Sequence, residues 1–377
     1  MTSTRDIFDK TVNSTSTLAV KIGSSLLIDG RGEPRLDWIH ALTARLVARA
    51  GPVVIVSSGA IGLGRQTLGL AGRPQSLAEA QACAAVGQVR LAQIWAEAWS
   101  AHKRVAAQVL LTLDDLEQRG RYLNARNTLE TLIERGVVPI VNENDTVATG
   151  EIRFGDNDRL GARVAQLVGA ELMLLLSDVD GLFEANPRTS PEARLIREVG
   201  EITPEIEALA GQAEDTGFGT GGMVSKLAAA RIATAAGCPV LLTSGVDETD
   251  PIARYLETGR GTWFAATGKP LARRKQWLRG MQRHAGELHL DDGAVQALAE
   301  GASLLARGVN GIKGEFARGE LIRLSGPDGP VGQGLSAYRS EELARIVGRH
   351  TSEFESILGY PGRGPVVHRD DLILFKQ

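Results

Sequence analysis

The sequence predicts an α/β protein with a parallel or mixed central sheet covered on both faces, followed by a small β-rich barrel. Residues 18–264 alternate short apolar runs with longer amphipathic segments, and the runs are nearly free of charge, as strands buried on both faces are. Beyond a break at 265–280, residues 281–377 read as short β segments separated by glycine turns, with a helix or two, ending near Phe375.

Each element has its own signal. LAVKI (18–22) is strand-like, and 36–50 has helical spacing. VVIVSS (53–58) reads as a buried strand, followed by an Ala-rich helical region through Ser100. VAAQVLL (105–111), VVPIVN (137–142), LMLLLS (172–177) and PVLLTS (239–244) repeat the strand pattern, with helical stretches at 119–135, 156–169 and 224–237 between them. The expected organisation is a polar N-terminal extension (1–16), an α/β domain (17–264), a linker (265–280) and a β-rich domain (281–377). The linker carries Gly, Pro and the basic cluster Arg273-Arg274-Lys275.

Composition removes several functional classes. No apolar run reaches the ~18 residues of a membrane-spanning helix, and the first residues lack the apolar stretch of a secretory signal. The net charge of −3 gives no global attraction to nucleic acid or anionic lipid. The only cysteines, Cys83 and Cys238, form neither a zinc spacing nor a disulfide framework, so a cytoplasmic setting is expected.

Glycine is over-used, with 44 residues, and it clusters at turns that follow strand-like runs. Four such turns are Ile22-Gly23-Ser24, Ser58-Gly59-Ala60, Ser177-Asp178-Val179-Asp180-Gly181, and the run Gly217 to Lys226. A glycine after a strand is ordinarily only a turn. In an open α/β sheet, however, all four would collect at the carboxyl edge of the strands, where ligands bind and where free backbone N–H groups suit phosphate oxygens. The last run formally matches G-x-G-x-x-G but does not follow an apolar strand, and the phosphate-loop pattern is absent because Pro270 follows Gly268-Lys269. Two polar knots stand apart: Asn142-Glu143-Asn144-Asp145 at a strand end, and Phe154-Gly155-Asp156-Asn157-Asp158 at a helix start. Strand termination and helix capping account for part of them. Together they offer acceptors for an ammonium and amide donors for a carboxylate, which suits a small zwitterion such as an amino acid.

VKIGSS, VSSGAIGLG, LNARNTL, VNENDTVAT, FGDNDRLGA, LLLSDVDGLF and GTGGMVSK, in this order between about 17 and 264, strongly resemble the glutamate 5-kinases of the amino-acid kinase family. The last hundred residues resemble the PUA domain that many bacterial members append. The resemblance implies an amino-acid kinase three-layer sandwich with a mainly parallel central sheet, plus a small β-rich PUA-like barrel. It implies transfer of a phosphoryl group from ATP to L-glutamate, giving L-glutamyl 5-phosphate at the committed step toward proline. The nucleophile would be a carboxylate of ordinary pKa ~4.3, already ionised, so no general base is needed. The obstacle is charge repulsion, and catalysis must come from positioning and positive charge.

Matched to those motifs, Lys21 and Lys226 resemble the two lysines that neutralise the transition state, and Asp158 the aspartate that holds both. Gly23 and Gly59 resemble backbone donors to phosphate oxygens. Ser177, Asp178 and the run Thr220, Gly221, Gly222, Met223, Val224, Ser225 and Lys226 resemble nucleotide contacts. The family often carries Thr where Ser177 and Ser225 stand, and both changes keep a hydroxyl. Ser58, Asp145 and Asn157 match glutamate-binding positions, with Asn142 a helper. Charge assigns Asp145 to the α-ammonium and Asn157 to the α-carboxylate or an adjacent loop. Mg²⁺ is expected to ride on the ATP phosphates, since no compact carboxylate cage is visible. The resemblance further implies proline as an inhibitor at a site overlapping that of glutamate, a dimer or tetramer built through the kinase domain, and coupling to glutamyl phosphate reductase. RNA binding by the PUA-like segment is the alternative from a different class. Residues 281–377 carry 11 Lys+Arg against 13 Asp+Glu, a poor general electrostatic footprint for it.

Overall fold

The computed structural model describes residues 3–375 except 71, 73, 148–156, 188, 212–221, 247–249, 267–277 and 279–282. It contains two compact units, Met1–Leu116 with Ala125–Pro270, and Glu117–Asn124 with Leu271–Gln377.

The first unit is built on eight strands: β1 (Leu18–Ile22), β2 (Val53–Val56), β3 (Ala106–Leu111), β4 (Val138–Glu143), β5 (Leu172–Ser177), β6 (Glu198–Val199), β7 (Val240–Ser244) and β8 (Thr262–Phe264). Their order is β3-β4-β2-β1-β5-β7-β8-β6, and every pairing is parallel except β7 with β8. The chain runs to one side of β1 through β2, β3 and β4, then returns to its other side at β5. That reversal opens a crevice beyond the carboxyl ends of β1 and β5.

The two-residue period of the strands divides the core. Leu18, Val20 and Ile22 of β1 join Leu172, Leu174 and Leu176 of β5 in one cluster, with Trp38, Leu42, Trp95 and Trp99 from the helices Leu36–Val47 and Leu77–Ser100. Ala19 joins Met173 and Leu175 in the other, with Ala162 and Ala165 from Asn157–Leu167 and Leu227, Ala230 and Ala233 from Met223–Ala235. The helices therefore form one layer on each face of the sheet, the three-layer arrangement the sequence predicts.

Some elements lie beyond the sequence reading. The expected polar extension contains the helix Thr4–Val12, started by a Ser3–Asp6 capping box. Its Phe8 and Val12, four residues apart on one face, are buried, and the Phe8 ring meets Tyr255 edge-on at 4.9 Å between centroids. Strands β6 and β8, of two and three residues, are too short to register as apolar runs.

The second unit has a five-stranded sheet of β9 (Gly286–Leu290), β10 (Val309–Lys313), β11 (Leu321–Gly326), β12 (Gly329–Leu335) and β13 (Leu372–Leu374), in the order β10-β9-β11-β12-β13. Pairing is antiparallel except between β9 and β11. The helices Asp292–Ala299, Ser340–Ile346 and Phe354–Leu358 accompany it, with Leu288, Ile322, Leu324, Tyr338 and Phe354 in its core. Leu278, within the expected linker, is buried against Leu321, Leu335 and Ile373, and its carbonyl accepts from Gln333 Nε2 at 2.8 Å.

Candidate active site

Strand periodicity determines where Lys21 goes. It shares the second face of the sheet with Ala19, the face covered by the helices Asn157–Leu167 and Met223–Ala235. Asp158 and Lys226 lie in the first turns of those two helices, so three residues far apart in sequence converge. Lys21 Nζ forms an ion pair with Asp158 Oδ1, and Lys226 Nζ lies 3.5 Å from Asp158 Oδ2. The Ser225 hydroxyl donates to the same Oδ2. All three charged residues are buried, Asp158 completely. Burial alone would raise the Asp158 carboxyl, but Lys21 and then Lys226, with hydrogen bonds from Lys21 and Ser225, hold it down at about 2. Gly161, one turn after Asp158, makes room for the lysine stem: a Cβ there would lie 3.1 Å from Lys21 Cγ.

Glycine turns form the neighbouring wall. The Gly23 N–H donates to Leu176 O of β5 at 3.0 Å, and the short helix Ser24–Leu27 starts immediately after it. Gly59 takes φ +101°, a conformation other residues rarely adopt, which turns the chain from β2 into the helix Ala60–Thr67. Ser177 ends β5 buried, its hydroxyl donating to Asp178 Oδ1 at 3.0 Å.

The polar knots supply the third part. Asn157 Nδ2 donates to Ser58 Oγ and to Asn142 Oδ1, both at 3.1 Å, linking the ends of β2 and β4 to the start of the helix Asn157–Leu167. Asn142 Nδ2 donates in turn to Gln88 Oε1 at 2.6 Å. Asp145 is half-buried and pairs with no cation among the described residues, and burial pushes its carboxyl up to about 6.

One cavity of about 1380 Å³ is lined by Lys21, Gly23, Ser58, Gly59, Asn142, Asp145, Asn157, Ser177, Asp178, Gly222, Met223, Val224 and Lys226. Asp158 is sealed beneath its surface, and Ser225 is tied to Asp158 rather than lining the cavity. Thr220 and Gly221 lie outside the described residues, as do Gly217, Gly219, Phe154, Gly155, Asp156 and the cluster Arg273, Arg274 and Lys275. Among the described residues no group of three or more His, Cys, Asp or Glu side chains is placed to hold a metal ion, and no helix is long and apolar enough to cross a membrane.

Three supporting contacts were not legible in the sequence. Gln88 sits within the 24-residue helix Leu77–Ser100 with no motif around it. From the same helix Trp95 Nε1 donates to Ser57 Oγ at 2.9 Å, steadying the turn before Gly59. Gly87 and Gly64 let that helix and Ala60–Thr67 cross at backbone contact: a Cβ on Gly87 would lie 1.8 Å from Ala60 O, and one on Gly64 would lie 1.7 Å from Cys83 O. The sequence signal available for this crossing was a glycine, Gly87, in the interior of an otherwise Ala-rich helix.

A cavity with two lysines on one buried carboxylate, glycine turns at strand ends and the polar side chains of Ser58, Asn142, Asp145 and Asn157 fits the comparisons with known proteins. The model of the amino acid kinase family matches residues 16–244, and that of the PUA domain matches 286–358. A glutamate 5-kinase of Paramagnetospirillum magneticum is 51% identical over 362 residues, covering 95% of this chain and 97% of that protein. One from Rhizobium johnstonii is 49% identical over 364 residues, covering 96% and 93%. Among solved structures, UMP kinase from Ureaplasma parvum aligns with a TM-score of 0.45 at 15% identity, over 67% of this chain and 99% of that one. The chain belongs to the amino acid kinase family, in its glutamate 5-kinase branch, and carries a PUA domain after the kinase domain.

Proposed function

We propose that the chain transfers the γ-phosphoryl group of ATP to the side-chain carboxylate of L-glutamate, giving ADP and L-glutamyl 5-phosphate, the first step of proline biosynthesis. One observation carries this assignment: the ammonium groups of Lys21 and Lys226 meet on the buried carboxylate of Asp158, beside a cavity whose other residues suit a zwitterion. A glutamate carboxylate oxygen attacks Pγ in line as the bond from Pγ to the ADP oxygen breaks, and no proton has to move. The two lysines offset the charge gathered on the equatorial oxygens, while Asp158 holds both ammonium groups in place before the substrates arrive. Gly59 would offer its backbone N–H to phosphate oxygens, whereas Gly23, expected to do the same, has its N–H spent on Leu176 O of β5 and is no free donor. Ser177, Asp178 and the segment from Thr220 to Lys226 would contact the nucleotide. Mg²⁺ would enter on the triphosphate, where it neutralises phosphate charge and needs few protein ligands. Asp145 and Asn157 would receive the amino-acid end of glutamate beside Ser58 and Asn142.

We assign catalysis to 17–264 and an accessory role to 281–377, joined by 265–280. Both cysteines are free and buried, in keeping with a cytoplasmic enzyme. Proline, which offers the same carboxylate and amine, would compete in the glutamate recess. A homo-oligomer and hand-over of the unstable acyl phosphate to glutamyl phosphate reductase belong to the same proposal.

The test is ATP turnover with L-glutamate, acetylglutamate, aspartate and UMP, with hydroxylamine trapping the acyl phosphate as a hydroxamate. Hydroxamate from glutamate alone is the expected result, and ADP release with UMP or acetylglutamate but not glutamate would overturn it. Lys21→Ala or Lys226→Ala should lower kcat by about 10²–10³, far more than either weakens ATP binding.

A further inference from the structure

We propose that Gln88, on the helix Leu77–Ser100, is a positioning residue that orients the carboxamides of Asn142 and Asn157, so that the glutamate recess presents an acceptor to a free protonated amine. The inference rests on the function proposed above and deepens it.

The orientation of these amides follows from one donor that cannot be reversed. The backbone N–H of Glu143 donates to the Asn142 side chain at 3.0 Å, so the atom facing it is Oδ1. The Nδ2 of Asn142 then faces Gln88 at 2.6 Å, and the Gln88 atom there is the acceptor Oε1. Asn142 Oδ1 also receives Asn157 at 3.1 Å, which makes that atom of Asn157 its Nδ2. The same Nδ2 spends its second hydrogen on Ser58 Oγ. What remains of Asn157 is Oδ1, buried and without a donor among the described residues, on a side chain that lines the cavity. A buried acceptor left unpaired is costly, and a ligand ammonium relieves that cost.

Asn157 thereby serves the ammonium side of the substrate, together with Asp145 in the same cavity, rather than the α-carboxylate or adjacent loop to which charge assigned it. Gln88 secures the far end of this relay. With its acceptor gone, Asn142 is held only at its Oδ1 edge by the Glu143 N–H, and the carboxamide can swing about that one bond and lose its alignment with Asn157. The relay selects for an amine that can donate: an acylated nitrogen keeps one hydrogen and no charge, and glutarate has no nitrogen.

The experiment compares Gln88→Met, which keeps length but removes the acceptor, with Gln88→Glu, which keeps an acceptor at the same reach. KM for glutamate, KM for ATP and kcat are measured with thermal melts of each variant, and glutarate is tried as the amine-free substrate. Gln88→Met should raise KM for glutamate by about tenfold with ATP KM within about twofold, and the preference for glutamate over glutarate should fall by a similar factor. Gln88→Glu should recover most of the glutamate KM and of that preference. Equal effects of the two variants, or parallel rises in both KM values, would make Gln88 a packing residue and overturn the proposal. Should Gln88→Met fail to fold, Gln88→Glu still decides, since it must retain discrimination against glutarate. Wild-type protein that leaves glutamate untouched would sink the underlying function as well, which separates the two failures.

Discussion

Ser225 donates its hydroxyl hydrogen to Asp158 Oδ2 at 2.7 Å, tying the first turn of one helix to the first turn of another across the second face of the sheet. The bond lands on the carboxylate oxygen that faces Lys226, the residue next to Ser225 in sequence. A hydrogen bond to a buried charge is worth more than one between neutral groups. Ser225→Ala should therefore cost about 1.5 kcal/mol of stability and lower kcat by about tenfold, as the helix carrying Lys226 loses its tie. Ser225→Thr keeps the hydroxyl and should stay within about twofold of wild type in kcat. A denaturant melt and a turnover assay of the pair check both, and an Ala variant indistinguishable from Thr would refute the link.

The same carboxylate should govern acid stability. Asp158 is held at about 2 in the folded protein against an ordinary 3.8, so the folded state binds its proton more weakly than the unfolded chain does. Its contribution is complete above pH ~4 and is lost as pH falls toward 2, amounting to roughly 2 kcal/mol over that window. Urea melts of wild type and Asp158→Asn between pH 2 and 7 read it directly: the difference between them should shrink below pH ~4. At neutral pH, Asp158→Asn leaves two buried ammonium groups facing each other, at a cost of about 3 kcal/mol. ATP should then stabilise that variant more than it stabilises wild type, because phosphate replaces the missing negative charge.

Asp145 has the opposite sign. Burial raises it to about 6 with no cation beside it among the described residues, so the folded protein without substrate holds that proton more tightly than the unfolded chain. The empty fold should lose stability as pH rises from ~4 through 6, and an ammonium brought by glutamate should restore it. With Asp145 facing the substrate ammonium, as proposed above, glutamate binding would require the ionised form. Its KM is expected to climb as pH drops below about 6 while the ATP KM stays level. Asp145→Asn should weaken glutamate binding at neutral pH and flatten that profile. An unchanged slope in this variant would assign the titration to another group.

The strands that carry the site were legible because burial on both faces makes them unbroken apolar runs, and Gly23, Gly59, Asn142 and Ser177 stood out as the polar or glycine residues ending such runs. The meeting of Lys21, Asp158 and Lys226 was expected only through the resemblance to a family. Periodicity does give the face Lys21 takes, but which helices cover that face is a tertiary fact. Gln88 was out of reach altogether, since a glutamine in an Ala-rich helix reads as a solvated position until the end of β4 is brought beside it. The N-terminal helix was hidden for a related reason. Two apolar residues, Phe8 and Val12, do not raise a polar segment above the background, yet four-residue spacing is enough to dock it.

The crossing of the helices Ala60–Thr67 and Leu77–Ser100 connects this hidden layer to the chemistry. A Cβ on Gly87 would lie 1.8 Å from Ala60 O and 2.4 Å from Gly64 N, all backbone, so no side chain can yield to admit it. Gly87→Ala must push the two helices apart, and the displaced parts are those that matter. Ala60 follows Gly59 directly, and Gln88 is the next residue along the other helix. Overpacking of this kind costs about 1–3 kcal/mol. The expected result is a lower Tm together with raised KM for both substrates, since the Gly59 turn and the amide relay move at once. Val89→Ala, two residues further along at a position 72% exposed, should shift stability by less than about 0.5 kcal/mol and leave both KM values unchanged. Thermal melts and steady-state kinetics of the two variants decide the matter, and a Gly87→Ala protein as stable and as active as Val89→Ala would show that the helices can part without disturbing the site.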